Sequence, residues 1–502
     1  MYKSLFGYFG FRTNIFKMSK IQDRTEGYQK VNWSTYKKSH DQFLIELRRS
    51  KRLANFHKKR HSETCVVESM STDECDLTFT LQELLTPNTQ FTQENVLLIM
   101  QTLKSYLQST QIATVEEALN TVKSLMNYSS ETLKFLSEYG IFIYVIKLIT
   151  PISPPIILEK SAWILSDFLA TEHSKFLIDT TLVTTLINSL SQSEQSISQH
   201  LLWALGNISA EEDFQQLLIL KSPLIKALGN FVESSSKTVA WILSNLSKGA
   251  ELMDLGQKRT VCELVSVLFK CEDIEILTEC LEALNNLSTD EDLETIQTIV
   301  DNGLVHVTVS TLRIENLLVR TPALKILGNV CAASHEHTQL VMNMNLLDII
   351  CDKEFIFSTL SSDTIWILSN IAAGTKSQVD KLMSHKIFNS LILSIVHYEM
   401  KTRVQAIIAV KNLLKAEESC KEKLAKMDFF SVLNMALKET DADYCKILIE
   451  VCKIMFLDKR FLKLIEETGC MFALEALSMH KNTEISSGVE ELIQLLTILN
   501  KP

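Results

Sequence analysis

The sequence predicts an all-helical protein built from stacked repeats, and three observations carry that prediction. An Asn or Asp recurs at 167, 207, 245, 286, 329, 370 and 412, with spacings of 38 to 43 residues. At 502 residues the chain exceeds what one hydrophobic core supports, so it is multidomain or a repeat array. It carries only 13 Gly and 7 Pro, no long alternation of apolar and polar residues, and many Leu/Ile/Glu/Lys-rich segments with helical periodicity.

Four stretches define the repeated helix: SAWILSDFLA (161–170), LLWALGNISA (201–210), TVAWILSNLS (238–247) and TIWILSNIAA (364–373). Each places an Asn, once an Asp, four residues after a Trp, so the two side chains share one helix face. Positions two and five after each Trp point the other way, and they are Leu165/Phe168, Leu205/Ile208, Leu243/Leu246 and Leu368/Ile371. The core therefore lies opposite, and each indole is expected to be displayed with an amide beside it. A period near 42 is the spacing of armadillo or HEAT arrays. One such unit cannot bury its own apolar face, so units stack into a superhelix whose concave groove the Trp/Asn helix would line. Extrapolation gives about nine or ten units, with atypical end units as caps.

Charge divides the chain. Residues 37–61 hold Lys37, Lys38, Arg48, Arg49, Lys51, Arg52, Lys58, Lys59 and Arg60 against Asp41 and Glu46, a net of +7; the whole chain is −10, so the remainder carries −17. A basic arm on an acidic body points to mutual attraction or to basic ligands, and the acidic body disfavours direct nucleic-acid binding. Residues 41–61 can form a helix. Residues 62–95 contain no Lys or Arg and read as a flexible acidic linker. The organisation expected is a disordered extension (1–36), the basic arm (37–61), the linker (62–95), the repeats (96–495) and a tail (496–502). The 11 Cys are odd in number and form no CxxC pair, which suits reduced thiols inside a cell. The longest apolar stretch, 141–158, is broken by Lys147 and three prolines, so no membrane insertion is expected. The first 17 residues lack a long apolar run and a small-residue cleavage site, so a secretory signal is not expected; a mitochondrial presequence, or a start at Met18, is the alternative for them.

On WALGN (203–207), WILSN (241–245 and 366–370), RTPALKILGN (320–329) and ELRRSKRLANFHKKRH (46–61), the chain resembles the importin-alpha family. That resemblance implies a right-handed superhelical solenoid of about nine or ten armadillo repeats preceded by a basic N-terminal arm. It implies a nuclear import adaptor, shuttling between cytoplasm and nucleus, whose groove binds Lys/Arg-rich localisation signals of cargo proteins. Exposed indoles would sandwich lysine stems, amides would clamp the peptide backbone, and groove acids would select for charge. The major cargo site would use Trp163, Asp167, Thr171, Ser174, His200, Trp203, Asn207, Glu211, Trp241 and Asn245, with Glu211 as the carboxylate of a lysine pocket. The minor site would use Glu282, Asn286, Lys325, Asn329, Asp363, Trp366, Asn370 and Asn412. It is expected to be weak, because Ile408 stands for a Trp and Gln405 for a Glu. Asp167 departs from the usual Asn, and His200 stands where the family often has Gln. The basic residues of 37–61 would bind importin-beta, and KKR (58–60) would fold into the groove when importin-beta is absent. An export factor with Ran-GTP would complete the cycle.

Nothing suggests an enzyme or a cofactor: the sequence has no Gly-rich phosphate loop, no zinc-ligand spacing and no nucleophile elbow. His335 and His337 are expected in a loop between repeats. Two alternatives stay open, a different armadillo-type scaffold and a nucleic-acid binder acting through 37–61.

Overall fold

The computed structural model describes residues 93–190, 193–289 and 292–499, and among them there is no strand. The basic arm, with its Lys and Arg residues, and nearly all of the linker lie outside the described residues. The chain divides into two compact units, here residues 93–287 and 288–499 of the described chain.

Each unit is a stack of helical repeats. We label only the long helix that closes each repeat. In the first unit these are α1 (Ile112–Tyr128), α2 (Pro155–Leu169), α3 (Gln195–Ser209), α4 (Ser236–Leu246) and α5 (Ile274–Ser288). In the second they are α6 (Leu317–Ala333), α7 (Ser361–Ala372), α8 (Met400–Ala416), α9 (Ala442–Phe456) and α10 (Thr483–Leu499). Within a repeat, two shorter helices usually precede the long one, as Leu293–Asp301 and Leu304–Thr311 precede α6. In five repeats the bend between those short helices is made by a left-handed residue. Gly140, Gly303 and Gly469 supply it in three repeats, and Asn345 and Asp428 in two more. These residue types tolerate positive φ at little cost.

Successive long helices pack side by side: α1, α2, α3 and α4 in the first unit, α6 through α10 in the second. The stripe that the sequence marks as core is core. Leu165, Phe168, Leu205, Ile208, Leu243, Leu246, Leu368 and Ile371 are all fully buried. Phe142 stacks on Phe168 at 3.5 Å between ring centroids, tying a short helix to α2.

Close helix approach depends on two glycines. Gly206 of α3 lies under the indole of Trp241 on α4, and Gly328 of α6 lies under Trp366 on α7; a Cβ at either would overlap the ring. Gly328→Ala should therefore destabilise the second unit by about 1–3 kcal/mol through overpacking. Gly488→Ala, in α10 where the nearest atom would sit at an ordinary 3.8 Å, should be neutral or gain up to about 1 kcal/mol from helix propensity. Urea denaturation of the two variants checks this; equal effects would contradict it.

Candidate functional site

The recurring Asn forms the contact between repeats. Asn207 Nδ2 donates to the Ser166 carbonyl at 2.8 Å, Asn370 to that of Gly328 at 3.0 Å, Asn412 to that of Ser369 at 3.1 Å and Asn286 to that of Ser244 at 3.5 Å. The acceptor is always the residue just before the preceding repeat's own Asn or Asp. Ser166, Ser244 and Ser369 fall in the last four residues of α2, α4 and α7, where carbonyls lack a partner within the helix. The amide thus satisfies a group that the helix end leaves open. Two rungs use hydroxyls instead: Asn245 Nδ2 reaches Ser209 Oγ at 3.3 Å and Asn329 reaches Ser288 Oγ at 3.0 Å. This modifies the expectation that these amides serve a bound peptide. One N–H of each is committed between helices, and Asn245 and Asn370 are fully buried. In Asn370 the amide oxygen is buried without a hydrogen-bond partner.

The indoles are not all displayed, which corrects the expectation. Trp203 is 38% exposed and donates from Nε1 to Thr238 Oγ1 at 3.1 Å. Trp163 is half-buried. Trp241 is only 9% exposed and Trp366 only 3%. The physical reason is the residue beneath. Gly206 and Gly328 let Trp241 and Trp366 settle against bare backbone, whereas Trp203 meets a preceding helix that carries Ser166 at the corresponding position, three after Trp163. Sequence did hold this signal, as the Gly of WALGN and KILGN.

Charged positions are also engaged. Glu211, the expected carboxylate of a lysine pocket, forms an ion pair with Lys175 at 2.9 Å, and this contact raises the Lys175 pKa. Thr171 and Ser174 lie in the same turn, with Thr171 Oγ1 donating to the Phe168 carbonyl at 2.7 Å and Ser174 Oγ to the Thr171 carbonyl at 2.8 Å. The structure thus brings Thr171, Ser174, Lys175 and Glu211 to the C-terminal ends of α2 and α3. Asp167 is half-buried on α2. In the second unit, Asp363 is buried; burial pushes its carboxyl up, against the pull of Lys325 and Lys401. Ile408 and Gln405 are buried on α8, and Ser369 Oγ donates to Gln405 Oε1 at 3.4 Å. Glu282 and Lys325 are half-buried. His335 and His337 are not in a loop: they open the helix His335–Asn343, and Ser334 caps it through His337 N.

His200 has the most distinctive surroundings. Its ring stacks on Trp163 (5.6 Å between centroids, 13°) and meets Trp203 edge-on (5.6 Å, 81°). Its Nδ1 is buried without a hydrogen-bond partner. Burial pushes the imidazole pKa below its ordinary value; Glu159 pulls it up and Lys123 down.

No family model matches the chain. It is similar to importin subunit alpha-1b of Oryza sativa subsp. japonica, 26% identical over 195 residues, covering 38% of this chain and 36% of that protein. It is similar to importin subunit alpha-3 of Arabidopsis thaliana, 23% identical over 312 residues, covering 61% and 56%. The chain thus spans about half or less of the curated relatives it matches. Its fold matches the crystal structure of an engineered protein at a TM-score of 0.68, with 19% identity, covering 79% of this chain and 98% of that one. Fold and ladder together define a helical-repeat solenoid of the armadillo type. The relatives narrow this: the chain is an importin-alpha-like armadillo protein.

The imidazole gives a pH prediction. Its folded-state pKa is lowered, so the fold favours the neutral ring. The stability this contributes is full above the ordinary histidine pKa and is lost as pH falls below it. Between pH 7 and pH 5, the wild type should lose stability and change its tryptophan emission, and His200→Gln should do so less. A residual slope is expected from His397, also pushed down by burial. Identical profiles would contradict the assignment.

Proposed function

We propose that the chain is an import adaptor that binds Lys/Arg-rich segments of cargo along the ladder of the first unit. The observation that carries this is one helix end: α3 presents the exposed indole of Trp203, the amide of Asn207 and, two residues past its end, the carboxylate of Glu211. A lysine stem can lie on the ring, with its ammonium sharing the carboxylate that pairs with Lys175. The net charge of −17 outside the arm favours basic partners over phosphate. Asp167 adds charge at a position where its neighbours carry amides. Two tryptophans of the ladder, Trp241 and Trp366, are buried, so the grip centres on Trp203.

The site in the second unit is weak on this account. Its Trp366 is buried, Ile408 offers no ring, and buried Asp363 lies in the field of Lys325 and Lys401. The basic residues of 37–61 then link the adaptor to importin-beta and compete with cargo when importin-beta is absent. Tethering by a linker of this length gives an effective concentration of millimolar order, about enough to oppose micromolar cargo. Exchange with an export factor and Ran-GTP, and shuttling between cytoplasm and nucleus, follow from the same role. No catalysis forms part of this proposal.

Titrating a fluorescent Lys-rich peptide, with an all-alanine peptide as control, tests this reading. Trp203→Ala should weaken binding roughly 2- to 30-fold, the range of a cation–π contact of about 0.5–2 kcal/mol. Asp167→Asn should reorder a panel of basic peptides. Equal binding of the basic and alanine peptides would contradict the proposal. Deleting residues 1–61 should tighten peptide binding, and no change would remove the competition from the account.

A further inference from the structure

The indole of Trp163 is already occupied. Lys123 Nζ, from α1, stands 2.7 Å from its ring centroid. The ring of His200, from α3, lies parallel to it at 5.6 Å. Lys123 comes from the helix before Trp163 and His200 from the helix after, so the indole is flanked from both neighbours. An ammonium over a tryptophan face is the contact that a cargo lysine would seek there. Nearby, Lys160 of α2 bonds Glu116 at 2.7 Å and Asn120 Oδ1 at 2.8 Å, which fixes α1 against α2 beside this stack.

We propose that Trp163 is a self-filled slot. Lys123 takes the indole face that a cargo lysine would need, His200 closes the other side, and the pair makes the groove read a basic segment from Trp203 onward. This rests on the binding role proposed above. Its consequence is selectivity in register. A lysine aligned with Trp163 must displace an intramolecular ammonium, so it adds little, whereas one aligned with Trp203 meets an exposed ring. His200 and Lys123 are then specificity-determining residues: they decide which cargo position is read without supplying most of the affinity. The buried Nδ1 of His200 adds to this. A ring that lacks a hydrogen-bond partner there is held by its aromatic neighbours, so replacing it frees that side of Trp163.

The test is an alanine scan of a Lys-rich octapeptide, its register fixed by cross-linking, against full-length wild type, Lys123→Ala and His200→Gln. In the wild type, alanine for the lysine aligned with Trp163 should cost less than about twofold, and in Lys123→Ala about fivefold or more, within the range of one cation–π contact. The cost at Trp203 should be the same in the wild type and Lys123→Ala. His200→Gln should give an intermediate profile. Lys123→Met keeps the packed stem and removes only the charge; it should behave like Lys123→Ala, which guards against a variant that merely folds poorly. Peptide binding with the same profile in all proteins would overturn the self-filled slot alone. A wild-type cost of fivefold or more at Trp163 would also overturn it. If none of the proteins binds the peptide, the binding role itself falls, and this inference with it.

Discussion

The rest of the structure depends on one hydrogen bond, the side-chain amide of an Asn reaching an oxygen near the end of the preceding long helix. It occurs between Asn207 and Ser166, Asn286 and Ser244, Asn370 and Gly328, and Asn412 and Ser369. A single bond of this kind contributes about 1 kcal/mol. Its effect lies in repetition: in a stack whose stability is a sum of neighbour terms, the rungs from α2 to α5 and from α6 to α8 fix the register of those repeats. The same rung brings the helices close enough that Gly206 and Gly328 admit the rings of Trp241 and Trp366. The amide thus belongs to the scaffold before it belongs to any ligand.

Much of this was legible in the chain. The 38-to-43-residue spacing marked the repeats, and the positions two and five after each Trp marked the buried stripe, because both follow from local helix geometry. The state of each indole was not local. Trp203 and Trp241 sit in near-identical motifs, yet one is exposed and the other buried against Gly206, where the repeat before Trp203 carries Ser166 in sequence. Lys123 over Trp163, and Lys175 on Glu211, likewise join residues some 36 to 40 positions apart. Each needs the stack to exist before it can be read. Spacing alone showed that the Asn side chains line up, but not that they spend a donor on the neighbouring helix.

The ladder changes character toward the end of the second unit. There Lys411 pairs with Glu450 at 2.6 Å between α8 and α9, and Lys446 and Lys453 pair with Glu484 and Glu491 at 2.5 Å between α9 and α10. Ion pairs this exposed are screened by solvent and add little to stability. These last helices instead rely on core side chains such as Tyr444 and Phe456, both fully buried. The Trp/Asn pair of the earlier repeats does not recur in α9 and α10, which fits the proposal that a basic segment is held by the first unit.

The most direct test is a crystal structure of the full chain with a Lys-rich peptide. The account predicts an extended peptide with a lysine stem against the exposed Trp203 ring and its ammonium toward Glu211, while the Asn207 amide keeps its bond to Ser166. A peptide bound away from α3, or a Trp203 ring left bare, would contradict it.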